Sequence, residues 1–181
     1  LFGHDSIISN IMTGSVFRTY GGNDTIVAGT GNDSIDGGTL ALADWQGKAV
    51  LVVNTASRCG YTGQYDGLQA LQDRYAEAGL VVLTVPSNDF RQELADEAQV
   101  KEFCEVNFGL TLPMTTITAV TGAQAHPFYI WLRDTHGVAP EWNFNKVLID
   151  TNGDFAGFWG ARTRPLSRSL TAAIEAELPN P

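Results

Sequence analysis

Hydrophobic positions along this chain switch between unbroken runs and helical spacing, and the switches lay out its elements in order. Ala49 to Thr55 is an apolar run that turns polar only at its end, the signature of a strand covered on both faces. Gln64 to Ala78 then places Leu68, Leu71 and Tyr75 at helical spacing and stops at Gly79. Leu80 to Val85 reads as a second buried strand, and Ala95 to Phe108 as a second helix closed by Gly109. The His126-Pro127 step has the form of a helix start. Lys146 to Asp150 and Asp154 to Phe158 form a hairpin across Asn152-Gly153, and Leu166 to Leu178 makes a final helix. Strand and helix in alternation, then a hairpin and a helix, predict an α/β domain with a central mixed β-sheet flanked by helices.

The first 33 residues follow another pattern, rich in Gly, Asn, Asp, Ser and Thr with isolated Ile. Gly22-Asn23-Asp24-Thr25-Ile26 recurs nine positions on as Gly31-Asn32-Asp33-Ser34-Ile35, and Gly3-His4-Asp5-Ser6-Ile7 is a looser copy. These units resemble the Gly- and Asp-rich nonapeptide repeat of calcium-binding β-rolls, in which Asp and turn carbonyls ligate calcium. Such rolls need several stacked turns, so a Gly/Asp-rich leader without calcium stands beside that reading. Ser34 to Leu42 reads as a hairpin around Asp36-Gly37. The expected organisation is a leader over 1–33 and one globular domain over 34–181.

Charge narrows the partners. Eleven basic residues against twenty acidic give a formal charge of −9, and no basic stripe with interleaved aromatics offsets it, so nucleic acid is excluded as a partner. No apolar run is long enough to cross a bilayer. His4, His126 and His136 are too scattered for a zinc pattern, and neither metal nor cofactor is expected from the motifs. The chain begins at Leu1 with no basic and apolar leader, which reads as a cut or processed end and leaves the compartment open between cytoplasmic and periplasmic or secreted.

Two cysteines, Cys59 and Cys104, carry the candidate chemistry. Cys59 follows the first strand at the corner where a helix begins. Unpaired N–H groups and the helix dipole there favour thiolate over thiol. The order of elements around this corner is the thioredoxin-like arrangement, but the motif reads Cys59-Gly60-Tyr61-Thr62, without the second thiol of Cys-x-x-Cys. The stretch Val53-Asn54-Thr55-Ala56-Ser57-Arg58-Cys59-Gly60-Tyr61-Thr62 resembles the first signature of the glutathione peroxidase family. Val85-Pro86-Ser87-Asn88-Asp89-Phe90, Glu102-Phe103-Cys104, Thr111-Leu112-Pro113 and Trp142-Asn143-Phe144-Asn145-Lys146 match further motifs in order, over most of the chain.

That resemblance implies a thiol peroxidase acting on hydrogen peroxide and organic hydroperoxides. Its peroxidatic cysteine is Cys59, with Trp142 and Asn143 donating hydrogen bonds to the thiolate and the leaving oxygen. The family's Gln after Pro-x-Asn falls on Asp89, and the loop behind it shortens to Arg91-Gln92-Glu93. Three courses are open to Asp89: protonation by burial, neutralisation by Arg58 or Arg91, or a turn away that leaves Asn88 and Asn143 to polarise the site. Cys104 resembles the resolving cysteine of thioredoxin-dependent members, with thioredoxin, or alternatively glutathione, as reductant. Arg162, Arg164 and Arg168 form a mixed surface available to that reductant. Ten positions from Leu132 to Trp142 leave no room for the long subunit-contact insertion, so a monomer is expected. Two other readings remain at this point: a peroxide sensor that passes oxidation from Cys59 to a partner protein, and a calcium-binding repeat protein with a vestigial peroxidase domain.

Overall fold

A computed structural model describes residues 45–179. The leader, its repeat units, the Ser34 to Leu42 hairpin and the domain boundary expected at residue 34 lie outside the described residues.

Strand β1 (Ala49–Thr55) is buried at all seven positions. It sits inside a four-stranded sheet of order β2-β1-β3-β4. It pairs in parallel with β2 (Leu80–Pro86) and antiparallel with β3 (Lys146–Ile149), which pairs antiparallel with β4 (Phe155–Trp159). A parallel neighbour requires a crossover, and helix α1 (Gln64–Tyr75) supplies it. The sheet is therefore mixed, as the order of runs and helical spacings predicts.

Alternation along the strands divides the core in two. Val50 and Val52 of β1 join Val81, Leu83 and Val85 of β2 against helix α3 (Pro127–His136). Ala49, Leu51 and Val53 face the other way, onto Tyr65, Leu68 and Leu71 of α1, Val100 and Cys104 of α2 (Glu97–Phe108), and Leu170 and Ile174 of α4 (Arg168–Glu177). Helices thus cover both faces.

Local chemistry sets the boundaries. Helix α1 ends at Tyr75, three residues short of the expected Ala78, because Ala76 to Gly79 closes as a separate turn and Gly79 takes φ +100°. Helix α2 starts at Glu97 rather than Ala95, with the Asp96 carboxylate accepting from Gln99 N at 3.1 Å, and Gly109 ends it in the left-handed region. Pro127 is the first residue of α3, and the His126 ring Nδ1 accepts from Phe128 N at 3.2 Å. In the β3–β4 hairpin one Asp150 oxygen accepts from both Asn152 N and Asp154 N, each at 2.8 Å, around Gly153. Helix α4 begins at Arg168, two residues later than expected.

Candidate active site

The end of β1 delivers Cys59 into a series of tight turns. Thr62 N donates to Cys59 O at 3.1 Å, Gln64 N to Tyr61 O at 2.8 Å and Tyr65 N to Thr62 O at 3.0 Å. Only then does α1 begin, behind Gly63. The expectation of a cysteine at the helix N-terminus is corrected here: Cys59 lies ahead of the first helical turn, beyond which the helix dipole fades. Cys59 is 5% exposed, so a hydrogen bond to its sulfur would act at low dielectric.

The chain that crosses over this turn is the loop after β2. Gln92 O accepts from Arg58 N at 2.8 Å, and Glu93 Oε1 accepts from Ser57 N at 2.9 Å and Leu94 N at 2.8 Å. The backbone on the N-terminal side of the cysteine is therefore clamped by Gln92 and Glu93. The shortened loop makes its bend at Arg91, a non-glycine residue at φ 57°.

Asn54 organises the second arm of the site. Its side-chain Nδ2 donates to Trp142 O at 2.9 Å, its Oδ1 accepts from Asn145 N at 3.0 Å, and its carbonyl accepts from Phe144 N at 2.6 Å. Phe144, fully buried, is held at φ 64° and meets Tyr65 edge-on at 5.2 Å. A β-rich strand end would extend the chain here; the left-handed residue instead turns Asn143 inward. Asn143 is fully buried, and its Nδ2 donates to Gln92 Oε1 at 3.0 Å while its Oδ1 has no partner. Trp142 is 41% exposed and tilts against Phe90 at 5.5 Å. Beside it open two grooves: one of about 540 Å³ between Tyr61, Trp142 and Arg162, and one of about 1070 Å³ between Gly60, Tyr61, Arg162, Arg164 and Leu166.

Of the residues singled out in the sequence, the structure ties Asn143 to the Cys59 turn through Gln92, and Trp142 to the same loop through Phe90. Asp89 is placed elsewhere. It is exposed, and one carboxylate oxygen accepts from Val120 N and Thr121 N, each at 2.7 Å, and from the Thr121 hydroxyl at 3.0 Å. Of its three courses Asp89 takes the turn away, because two backbone amides and a hydroxyl hold its charge there. Asn88 is exposed, and its Oδ1 accepts from Glu93 N at 3.2 Å and braces the loop. Gln92 is the residue that sequence reasoning missed beside the cysteine turn, where its carbonyl accepts from Arg58 N and its side-chain oxygen from Asn143. The signal was present in Arg91-Gln92-Glu93, where shortening carries an amide and a carboxylate back over the cysteine turn.

Cys104 lies on the inner face of α2, 1% exposed, in the same apolar cluster as Cys59. Burial, with Glu93 and Glu105 adding to it against a hydrogen bond from Tyr65, pushes its thiol up to about 11. Burial likewise lifts the Glu93 carboxyl above the usual carboxylate range. Lys146, fully buried, donates to Gln64 Oε1 at 2.6 Å and Phe144 O at 2.7 Å, and its desolvation lowers it to about 7. Among the described residues no group of three or more His, Cys, Asp or Glu could hold a metal ion, and no helix is long and apolar enough to cross a membrane.

A mixed four-stranded sheet with helices on both faces and a cysteine at the β1–α1 corner defines a thioredoxin-like fold with a single-thiol site. The family model described as glutathione peroxidase matches residues 28–133. The glutathione peroxidase homolog BsaA of Bacillus subtilis is 41% identical over 138 residues, 73% of this chain and 86% of that one. The hydroperoxy fatty acid reductase gpx1 of Synechocystis is 39% identical over 154 residues, 79% of this chain and 90% of that one. The crystal structure of Trgpx in apo form superposes with a TM-score of 0.61 at 30% identity, covering 87% of this chain and all of that one. The chain belongs to the glutathione peroxidase family. Its activity is that of a cysteine thiol peroxidase, and the sensor and calcium-repeat readings are not favoured by these relatives.

Proposed function

We propose that this peroxidase reduces hydrogen peroxide and organic hydroperoxides through Cys59. The thiolate attacks the terminal OH oxygen of the hydroperoxide, an S–O bond forms as the O–O bond breaks, and the departing hydroxide or alkoxide takes a proton from solvent to leave as water or an alcohol, with sulfenic acid on Cys59. The observation that carries the reading is an amide pair anchored to the cysteine turn: Asn143 Nδ2 donates to Gln92 Oε1 at 3.0 Å, and Gln92 O accepts from Arg58 N at 2.8 Å. That bond commits the oxygen of Gln92 and leaves its Nε2 to donate. With the Trp142 indole it supplies neutral donors where charge develops on sulfur and oxygen, and none of them needs to titrate. Gln92 takes the role assigned by resemblance to Asp89.

The groove lined by Tyr61, Trp142 and Arg162 and its neighbour lined by Tyr61, Arg162, Arg164 and Leu166 support organic hydroperoxides as substrates, as does the similarity to the hydroperoxy fatty acid reductase of Synechocystis. Cys104 resolves the sulfenic acid as an intramolecular disulfide, which thioredoxin reduces by exchange. The short connection between α3 and Trp142 supports a monomer. Helix α2 buries only Val100 and Cys104, so it is held to the body lightly enough to release Cys104 toward Cys59.

The test is steady-state peroxide consumption coupled in parallel to thioredoxin with its reductase and to glutathione with its reductase. Fast turnover with thioredoxin that vanishes in Cys104→Ser, and little with glutathione, is the expected result. Equal turnover with glutathione in wild type and Cys104→Ser makes glutathione the resolving thiol and overturns the disulfide cycle.

A further inference from the structure

The turn between β4 and α4 carries charge that the chemistry at Cys59 does not use. Residues 155–174 hold Arg162, Arg164 and Arg168 and no acidic side chain, in a chain with 20 acidic residues and a net charge of −9. Arg162 and Arg164 are exposed, and neither guanidinium makes a hydrogen bond or ion pair among the described residues. Arg74 and Arg133, by contrast, pair with Glu175 and Asp134. Both free arginines line the groove of about 1070 Å³ whose wall includes Gly60, the residue after Cys59, together with Tyr61 and Leu166. Arg162 and Tyr61 also line the neighbouring groove with Trp142. Of the exposed large apolar side chains among the described residues, Leu166 and Trp142 sit on this surface, at 53% and 41% exposure, and only Val106 lies elsewhere. Cationic and apolar groups that share one groove fit a ligand with an anionic end and a hydrocarbon body.

The arginine wall is held in place from behind. Ala161 O accepts from Gln64 Nε2 at 2.6 Å, Thr163 N donates to Gly160 O at 3.0 Å, and Ser167 N donates to Arg164 O at 3.0 Å. Pro165 lies so close to α1 that a Cβ on Gly67 would stand 3.1 Å from its Cβ. At Gly60 and Gly63 an added Cβ would meet no atom within 4 Å, so glycine there keeps the groove open. A backbone fixed in this way limits the freedom lost when the two side chains close on a ligand.

We propose that Arg162 and Arg164 bind the carboxylate of the substrate, so that among organic hydroperoxides this enzyme selects free hydroperoxy fatty acids over their neutral esters. The inference rests on the reading of Cys59 as the thiol that attacks organic hydroperoxides. A guanidinium presents a planar fork of N–H donors that matches a carboxylate, and two of them on one turn outweigh the repulsion of an acidic protein for an anionic ligand. The hydrocarbon of the acid covers Tyr61 and the exposed Leu166 or Trp142. Neither arginine touches the reacting oxygens. They decide which hydroperoxide is captured, and the bond changes at Cys59 are the same for acid and ester.

The test compares linoleic acid hydroperoxide with its methyl ester, both below the concentrations at which they form micelles. Each is mixed in excess with reduced protein at neutral pH and low salt, and the oxidation of Cys59 is followed by stopped flow. No reductant is present, so no carboxylate from glutathione competes for the arginines. The expected result in wild type is oxidation about tenfold faster by the acid than by the ester, a preference that shrinks as salt rises. The double variant Arg162→Gln, Arg164→Gln should bring the acid-to-ester ratio to about one, and Arg162→Glu, Arg164→Glu should reverse the preference. A wild-type ratio near one overturns the proposal, as does a ratio that the variants leave unchanged, whether or not both rates fall together. Should the variants not fold, the salt series on wild type carries the test, and a preference indifferent to salt overturns it. If acid, ester and hydrogen peroxide all fail to oxidise Cys59, the reading of that thiol fails and the proposal with it.

Discussion

Asn143 Nδ2 lies 3.0 Å from Gln92 Oε1, a bond between residues 51 positions apart that joins the segment before β3 to the loop after β2, whose Gln92 carbonyl accepts from Arg58 N of the cysteine turn. Two backbone conformations unusual for their residues, Arg91 at φ 57° and Phe144 at φ 64°, set up its two ends. Strain of this kind persists where surrounding contacts over-determine it. Here Asn54 fixes one arm, and the Ser57 and Arg58 amides fix the other.

Gln92→Ala removes the partner of Asn143 and one neutral donor, and the rate of Cys59 oxidation by peroxide is expected to fall about a hundredfold or more. Asp89→Gln should change that rate less than about threefold while losing about 1–3 kcal/mol of stability, because it weakens a charge-assisted grip on Val120 and Thr121. Stopped-flow oxidation of reduced protein and thermal unfolding of both variants check this. A reversal of the two rates would return Asp89 to the site.

Helix α2 is predicted to open more readily than α1. Its buried side chains are Val100 and Cys104, whereas α1 buries Gln64, Tyr65, Leu68, Leu71 and Tyr75. Hydrogen exchange should show α2 amides exchanging at lower protection than those of α1. Val100→Ala, at a cost of about 2 kcal/mol, should speed disulfide closure after peroxide rather than slow it.

Lys146 ties the start of α1 to the 142–146 segment, but it does so as a buried ammonium facing only amide oxygens. Its folded value of about 7 lies below the 10.5 of an ordinary lysine, so the unfolded chain binds more protons between those two pH values. The contribution of Lys146 to stability therefore rises with pH from about 7 toward 10.5 and is constant at its least favourable below 7, with a slope of at most about 1.4 kcal/mol per pH unit. Urea unfolding of wild type and Lys146→Met across that range should show the difference growing in favour of wild type. A difference independent of pH would mean that Lys146 stays charged in the fold.

Gly79 is required twice over. At φ +100° it closes the turn between α1 and β2, and a Cβ there would meet Pro179 Cδ and Cγ at 2.8 Å. Gly79→Ala is expected to cost about 2 kcal/mol or more. Gly109→Ala, with the left-handed backbone but open space, should cost less, about 1 kcal/mol. Denaturant midpoints of the two variants decide the order.

The sequence by itself determined the sheet and its helices, because apolar runs and helical spacing are local consequences of which faces must be buried. β1, β2 and the hairpin strands fall within a residue or two of the expected bounds, and Asp96, Pro127, Gly109 and Gly79 act as punctuation through their own side chains or their freedom to take positive φ. It also singled out Cys59, Cys104, Trp142 and Asn143 through their motifs. Only the tertiary structure decided that Cys59 precedes the helix rather than starting it, that Asp89 faces Val120 and Thr121, and that Gln92 and Glu93 close over the cysteine turn. The reason is that a hydrogen bond between residues 51 or 36 positions apart leaves no period or spacing in the chain. Such a bond exists because two loops are brought to one end of the sheet, where buried amides and carboxylates take whichever partners that meeting supplies.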